Sequence, residues 1–171
     1  VAISAGGAHT CVILDNGDVS CWGVNELGRL GHGTTSQFEL TPTLTSSLGN
    51  GRTAVAISAG GAHTCALLDN GAVSCWGYGI FGQLGIGVVD NKSSPTLITG
   101  FGQGLTAVSL SSGEQHTCAI LSDGSVSCWG WNSKGQLGNG GFIDQLSPTQ
   151  TSSLGANRTA IAISSGQYHT C

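Results

Sequence analysis

Apolar and small polar residues alternate along this chain in short bursts. In residues 53–58, Val55 and Ile57 alternate with Thr, Ala and Ser. Residues 63–68 and 72–76 form two further bursts, and 96–99 is a weaker fourth. A period of two over a few residues predicts half-buried β-strands. Glycine interrupts every longer window and no 3.6-residue period develops, so helix signals are poor. The chain opens on a strand-like Val-Ala-Ile-Ser.

The bursts recur. Near-identical stretches stand at 8–23, 62–77 and 115–130, and His169, Thr170 and Cys171 begin a fourth. His9, His63, His116 and His169 are spaced by 54, 53 and 53 residues. The extra residue has an address. Gly33 to Pro42 is nine positions, whereas Gly87 to Pro95 and Gly140 to Pro148 are eight. Surface loops tolerate such insertions. The shared skeleton is S-x-G-x-x-H-T-C-x-x-L-x-x-G-x-V-S-C-W-G-x-x-x-x-G-x-L-G-x-G, then a loop and Pro-Thr. Four short strands per unit of about 50 residues read as blades of a β-propeller. The repeats run over 1–53, 54–106 and 107–160, with a partial one at 161–171, all within one propeller segment.

The pattern G-x-x-H-T-C-A-L-L-D-N-G-x-V-S-C-W-G-x-x-x-x-G-Q-L-G-x-G closely resembles the repeat of the regulator of chromosome condensation 1 family. The resemblance covers essentially the whole chain. It implies an all-β propeller of four-stranded blades, usually seven in a ring, with each sequence repeat straddling two blades. The paired cysteines depart from the eukaryotic repeat and look more like the bacterial, often secreted, branch. Family members include an exchange factor for a small GTPase, ubiquitin-ligase modules, a photoreceptor and a secreted β-lactamase inhibitor. Such a fold does not fix function.

Hairpin arithmetic bears on the cysteines. If Asp15, Asn16 and Gly17 form a three-residue loop, Ile13 faces Val19, Val12 faces Ser20, and Cys11 faces Cys21. Gly stands third, where a type I turn with a G1 bulge needs a left-handed residue. The same register opposes Cys65 to Cys75 and Cys118 to Cys128. Opposed Cα atoms in a non-hydrogen-bonded pair lie about 4.5 Å apart, within disulfide reach. Each bridge would add at most roughly 2–3 kcal/mol and imply an oxidising compartment. A metal site is the rival reading, because His9 and Cys11 share a strand face, but the tight knuckles typical of zinc are absent. A redox role is the weakest alternative, since the spacing is not that of a C-x-x-C motif. We expect disulfides, and neither metal nor cofactor.

Composition narrows the function. The net charge is −4, only 8% of residues are charged, and the five Lys and Arg are scattered. Nucleic-acid binding depends on basic residues and is disfavoured. A surface of Ser, Thr, Asn, Gln and Gly suits an extracellular or cell-surface protein. No apolar run is long enough for a membrane-spanning helix. Asn91 and Asn157 head glycosylation sequons.

A histidine repeated in every copy reads as structural, holding a neighbouring backbone group through its ring. Trp22, Trp76 and Trp129 read as packing anchors. The glycines of G-Q-L-G-x-G lack the Lys-Ser/Thr and the helix of a phosphate loop. Asp90, Glu114 and Asp144 are isolated, so neither catalytic residues nor an enzyme is expected. Function belongs where the copies disagree. Three zones vary: 24–27, 78–81 and 131–134 after the tryptophan; 7–8, 61–62, 114–115 and 167–168 before the histidine; and the loops 34–41, 88–94 and 141–147. They present Phe38, Tyr78, Ile80, Phe81, Glu114, Gln115, Trp131, Phe142 and Tyr168 as candidate partner contacts, aromatics being typical hot-spot residues.

A seven-bladed ring needs roughly 370 residues at this period. We expect the chain to be a stretch of a longer protein; ring completion by several copies, or folding alone, are the alternatives. Cys171 has no partner within the repeat scheme. The expected function is an extracellular binding module for a protein or glycan. A filament-forming or surface-layer protein, assembling as a homo-oligomer, is one alternative and an exchange-factor-like regulator another.

Overall fold

The computed structural model describes residues 2–49 and 51–171; Val1, which heads the strand-like opening, and Asn50 lie outside the described residues. Three four-stranded antiparallel sheets follow one another along the chain. The first holds β1 (Ala2–Ala5), β2 (His9–Ile13), β3 (Val19–Val24) and β4 (Phe38–Leu44). The second holds β5 (Ala54–Ala59), β6 (His63–Leu68), β7 (Val73–Gly77) and β8 (Lys92–Leu97). The third holds β9 (Ala107–Ser112), β10 (His116–Leu121), β11 (Val126–Gly130) and β12 (Gln145–Gln150). Strands pair in chain order within each sheet, the arrangement of propeller blades. A 3-10 turn at Glu26–Gly28 is the one helical element among the described residues. A bridge between Ser165 and Thr170 starts a fourth hairpin.

The hairpin register is the one the turn chemistry predicts. Cys11 faces Cys21, Val12 faces Ser20 and Ile13 faces Val19; the second and third sheets repeat this. Leu14 N–H donates to the Asp18 carbonyl at 2.8 Å, and Asn16 Oδ1 accepts from Asp18 N–H at 3.0 Å. Gly17, Gly71 and Gly124 turn the chain at φ of 83°, 77° and 79°. Cys11–Cys21, Cys65–Cys75 and Cys118–Cys128 are disulfide-bonded, each with Cα atoms 4.1 Å apart. Cys171 is free and exposed.

Two expectations are corrected. The fourth strand of the second repeat is Lys92–Leu97, not 96–99. Pro95 looked like a boundary, but β8 is an outermost strand, where a missing N–H costs no ladder bond. Phe38 was expected in a loop, yet it opens β4, paired with Val24. The loops at 88–94 and 141–147 likewise give their last residues to β8 and β12.

The core lies between sheets rather than within them. Cys11, Ile13, Val19 and Cys21 of the first sheet pack on Ala66, Leu68 and Trp76 of the second. Cys65, Leu67, Val73 and Cys75 pack in the same way on Ala119, Leu121 and Trp129. The first two disulfides are therefore buried at sheet-to-sheet boundaries, and Cys118–Cys128 is buried against Ala160 and Ile163 at the start of the fourth repeat. The first sheet shows the converse: Trp22 is only half-buried, whereas Trp76 and Trp129 are fully buried.

Antiparallel pairing gives each sheet two ends. The Asn-Gly and Asp-Gly hairpin turns and the linkers to the next sheet share one end. The β1–β2, β5–β6 and β9–β10 turns, the segments after each tryptophan and the loops into the fourth strands share the other. All three variable zones thus fall on one face.

Candidate binding face

The repeated histidines are latches between sheets. His9 Nε2 lies 2.8 Å from Thr64 Oγ1, His63 Nε2 2.8 Å from Thr117 Oγ1, and His116 Nε2 3.0 Å from Thr170 Oγ1. Each threonine hydroxyl donates onward to a loop carbonyl of the histidine's own repeat: Thr64 to Arg29, Thr117 to Gln83, Thr170 to Gln136, at 3.0, 3.1 and 3.0 Å. A hydroxyl has one hydrogen. Having given it to the carbonyl, it accepts from the ring, so Nε2–H is the donor. The Nδ1 atoms of His9, His63 and His116 are buried without a hydrogen-bond partner. A Cβ on Gly6, Gly60 or Gly113 would collide with the imidazole three residues on, which explains the G-x-x-H spacing.

Burial holds these rings neutral. It pushes His9 down to about 4, helped by Arg29. His63 falls to about 3, with His9 and His116 adding to burial, and His116 falls to about 4 through burial and then His169. Rings so enclosed and so weakly basic are structural. The expected ring bond to a backbone group is replaced by one relayed through a hydroxyl. The signal for it was present: Thr follows His in all four copies. The six bridged sulfurs are not available as metal ligands, and among the described residues no group of three or more His, Cys, Asp or Glu gathers to hold a metal.

Hydrogen bonds order the variable face. The segment after each tryptophan is tied to the residue before the histidine: Val24 N–H to the Ala8 carbonyl, Tyr78 to Ala62, Trp131 to Gln115, all at 2.9 Å. Asn25 and Asn132, both fully buried, tie their loops together. Asn132 Nδ2 donates to the Gly141 and Ile143 carbonyls at 3.0 and 3.2 Å, and its Oδ1 accepts from Leu137 N–H at 3.0 Å. In the second sheet Gly79 stands at that position, and Asn91 across the loop accepts its N–H at 2.9 Å.

On this frame four rings run in series across the repeats. Tyr78 and Phe81 have centroids 5.9 Å apart, Phe81 and Trp131 6.2 Å, Trp131 and Tyr168 5.5 Å. The ladder thus passes from the second repeat to the start of the fourth. Gln167 Nε2 donates to the Tyr168 hydroxyl at 2.9 Å. Tyr78, Phe81 and Trp131 are half-buried against one another, and Tyr168 is exposed. Ile80 is exposed on the loop that carries Tyr78 and Phe81. Glu114 and Gln115 are half-buried; Glu114 lies over Gly61, and the Gln115 carbonyl accepts from Trp131 N–H. Phe38 and Phe142 are exposed and take no part in these ring pairs; Phe142 instead lies over Gly135. Of the sequon asparagines, Asn91 is half-buried in its loop bond, and Asn157 is exposed with φ of 58°.

The regulator of chromosome condensation (RCC1) repeat pattern matches residues 16–67, 70–120 and 123–171. A second description of the same repeat matches 1–29, 54–83 and 107–136. The first set starts in one sheet's hairpin and ends in the next, so each matched repeat straddles two blades. The chain is 32% identical over 168 residues to the ultraviolet-B receptor UVR8 of Arabidopsis thaliana, covering 98% of this chain and 37% of the receptor. It is 33% identical over 171 residues to the probable E3 ubiquitin-protein ligase HERC4 of Homo sapiens, covering 99% of this chain and 16% of the ligase. The chain therefore spans well under half the length of these relatives. Among solved structures, yeast RCC1 (Prp20), crystallised with Kap60, superposes with a TM-score of 0.89 at 19% identity, over 99% of this chain and 40% of that one. Human WBSCR16 superposes at 0.86 and 25% identity, over 97% and 44%.

Proposed function

The chain belongs to the regulator of chromosome condensation (RCC1) repeat family, and from that premise we propose that it is a non-enzymatic binding module of an extracellular or cell-surface protein. Its partner is a protein, taken on the face where the repeats differ. The ladder of Tyr78, Phe81, Trp131 and Tyr168 carries this reading. Half-exposed rings held in place by their neighbours offer large contact area at little cost in side-chain order. The three disulfides support the oxidising location and weigh against the exchange-factor alternative, which requires reduced cysteines.

The test is affinity capture from the extracellular proteins of the source organism, run beside a Phe81→Ala, Trp131→Ala double variant of equal melting temperature. The reading predicts a protein retained by the native chain and lost by the variant. Identical retention by the two would remove the ladder as the binding surface.

A further inference from the structure

Beside the ladder lies a shallow, wide-open groove of about 390 Å³, floored by the glycine turns Gly6, Gly7, Gly60, Gly61, Gly113 and Gly166. Glu114 is the one ionisable side chain that lines it. Its counterparts in the other copies are Gly7, Gly61 and Gln167. A Cβ on Gly61 would stand 2.6 Å from the Glu114 carboxyl carbon, so this carboxylate reaches back across the sheet boundary over the Gly61 backbone. It is half-buried. The ion pairs among the described residues are His32–Glu39, Arg52–Asp69 and Lys92–Asp90; Glu114 is in none. The groove and the ladder adjoin, because Gln115 bonds Trp131 N–H and Gln167, which lines the groove, bonds Tyr168.

The charges of this face point the same way. Glu26, Glu39, Asp90, Glu114 and Asp144 lie in its loops and strand ends. Against them stand Arg29, which is buried, Lys92, which is paired with Asp90, and Lys134. The rings of the ladder meet at 78°, 53° and 69°. They offer edges and clefts rather than the continuous flat platform on which sugar rings stack.

Resting on the binding reading above, we infer that this face recognises a polypeptide segment carrying a lysine or arginine beside an apolar residue. The basic side chain enters the glycine-floored groove and pairs with Glu114. The apolar neighbour packs on Trp131 and Phe81, whose rings also attract the cation. A carboxylate already partly desolvated and without a cation gains more from such a pair than a solvated one.

Selection of a random peptide library on the immobilised native protein tests this. The strongest peptide is then synthesised with its arginine replaced by citrulline, or its lysine by acetyl-lysine, and titrated against native, Glu114→Gln, Asp15→Asn and Trp131→Ala proteins of verified fold. The expected peptides carry a basic residue next to an apolar one. Neutralising either partner should weaken binding roughly 10- to 100-fold, and neutralising both should add little more. Asp15→Asn, in the hairpin turn at the opposite end of the sheet, should bind as native. Three results overturn the inference: no enriched peptide, enriched peptides without a basic residue, or native affinity in Glu114→Gln. Retention of neutral oligosaccharides on a glycan array in place of peptides overturns it too. Loss with Trp131→Ala but not with Glu114→Gln removes the basic partner and leaves the binding face; loss with neither removes both.

Discussion

Thr64 gives its one hydroxyl hydrogen to the Arg29 carbonyl and so accepts from His9. Protonating His9 leaves that bond intact but places a charge in the sheet boundary. The cost appears as linkage. Folding holds His9, His63 and His116 down to about 4, 3 and 4, against about 6.5 in an unfolded chain. Between pH 6.5 and 4 the unfolded chain takes up protons that the folded one refuses, so stability falls as pH drops through that window. The slope approaches about 1.4 kcal/mol per histidine for each pH unit. Above pH 7 these groups contribute no pH dependence. Urea midpoints measured from pH 7.5 to 5 should show the decline, and His63→Asn, although weaker at pH 7.5, should decline less steeply. An unchanged slope in the variant would remove His63 from the account. The cysteines give a second expectation at this scale. Alkylation of the native protein should label Cys171 alone, and the other six should react only after reduction. Six reactive thiols besides Cys171 would sink the extracellular reading.

Strands and turns carry different burdens on the two faces. Gly71 holds φ at 77°, and a Cβ there would come within 2.6 Å of the Thr106 side chain. Gly71→Ala should therefore cost more than the roughly 1 kcal/mol of an ordinary left-handed site, whereas substitutions at Ile80 should be near neutral. Trp76 and Trp129 are fully buried by the preceding sheet. Their replacement by Ala should cost about 3–5 kcal/mol, and Trp22→Ala distinctly less, as urea denaturation would report. An equal cost would mean that Trp22 is covered in solution. The same contrast separates what the sequence discloses from what only the fold discloses. The cysteine register was legible because a three-residue turn ending in glycine leaves only one pairing. The fourth strand was misplaced because Pro95 signals a break in a central strand but not in an edge strand. The ring ladder was legible only as a set of variable aromatics. Phe81 and Trp131 are 50 positions apart, and their contact depends on how successive sheets stack, which no local pattern encodes. The histidine relay was half legible, since the repeated His-Thr pair was visible but its partner carbonyls lie 34 and 35 residues away.

Across the whole molecule, contacts run from sheet to sheet, each boundary holding one buried disulfide, one histidine relay and one apolar cluster. Such an array behaves as units coupled to their nearest neighbours. The second and third sheets each have a relay on both sides, but the third sheet's outer relay, His116 with Thr170, runs to the partial fourth repeat, whose described residues hold a single bridge and no full strand. Every residue of β6, β7, β10 and β11 is buried, whereas Thr10 and Val12 of β2 are half-exposed. Residues 151–159 have no strand, and most are exposed. Amide exchange should therefore be slowest in His63–Leu68 and Val73–Gly77, which lie between two full sheets, intermediate in β2, β3, β10 and β11, and fastest in 151–159. A graded pattern follows from opening that begins at the outer boundaries and moves inward. Uniform protection across all three sheets would show instead that the relays couple the molecule into a single cooperative unit. In that case the loss of one relay, in His63→Asn, should speed exchange in the first sheet as much as in the second.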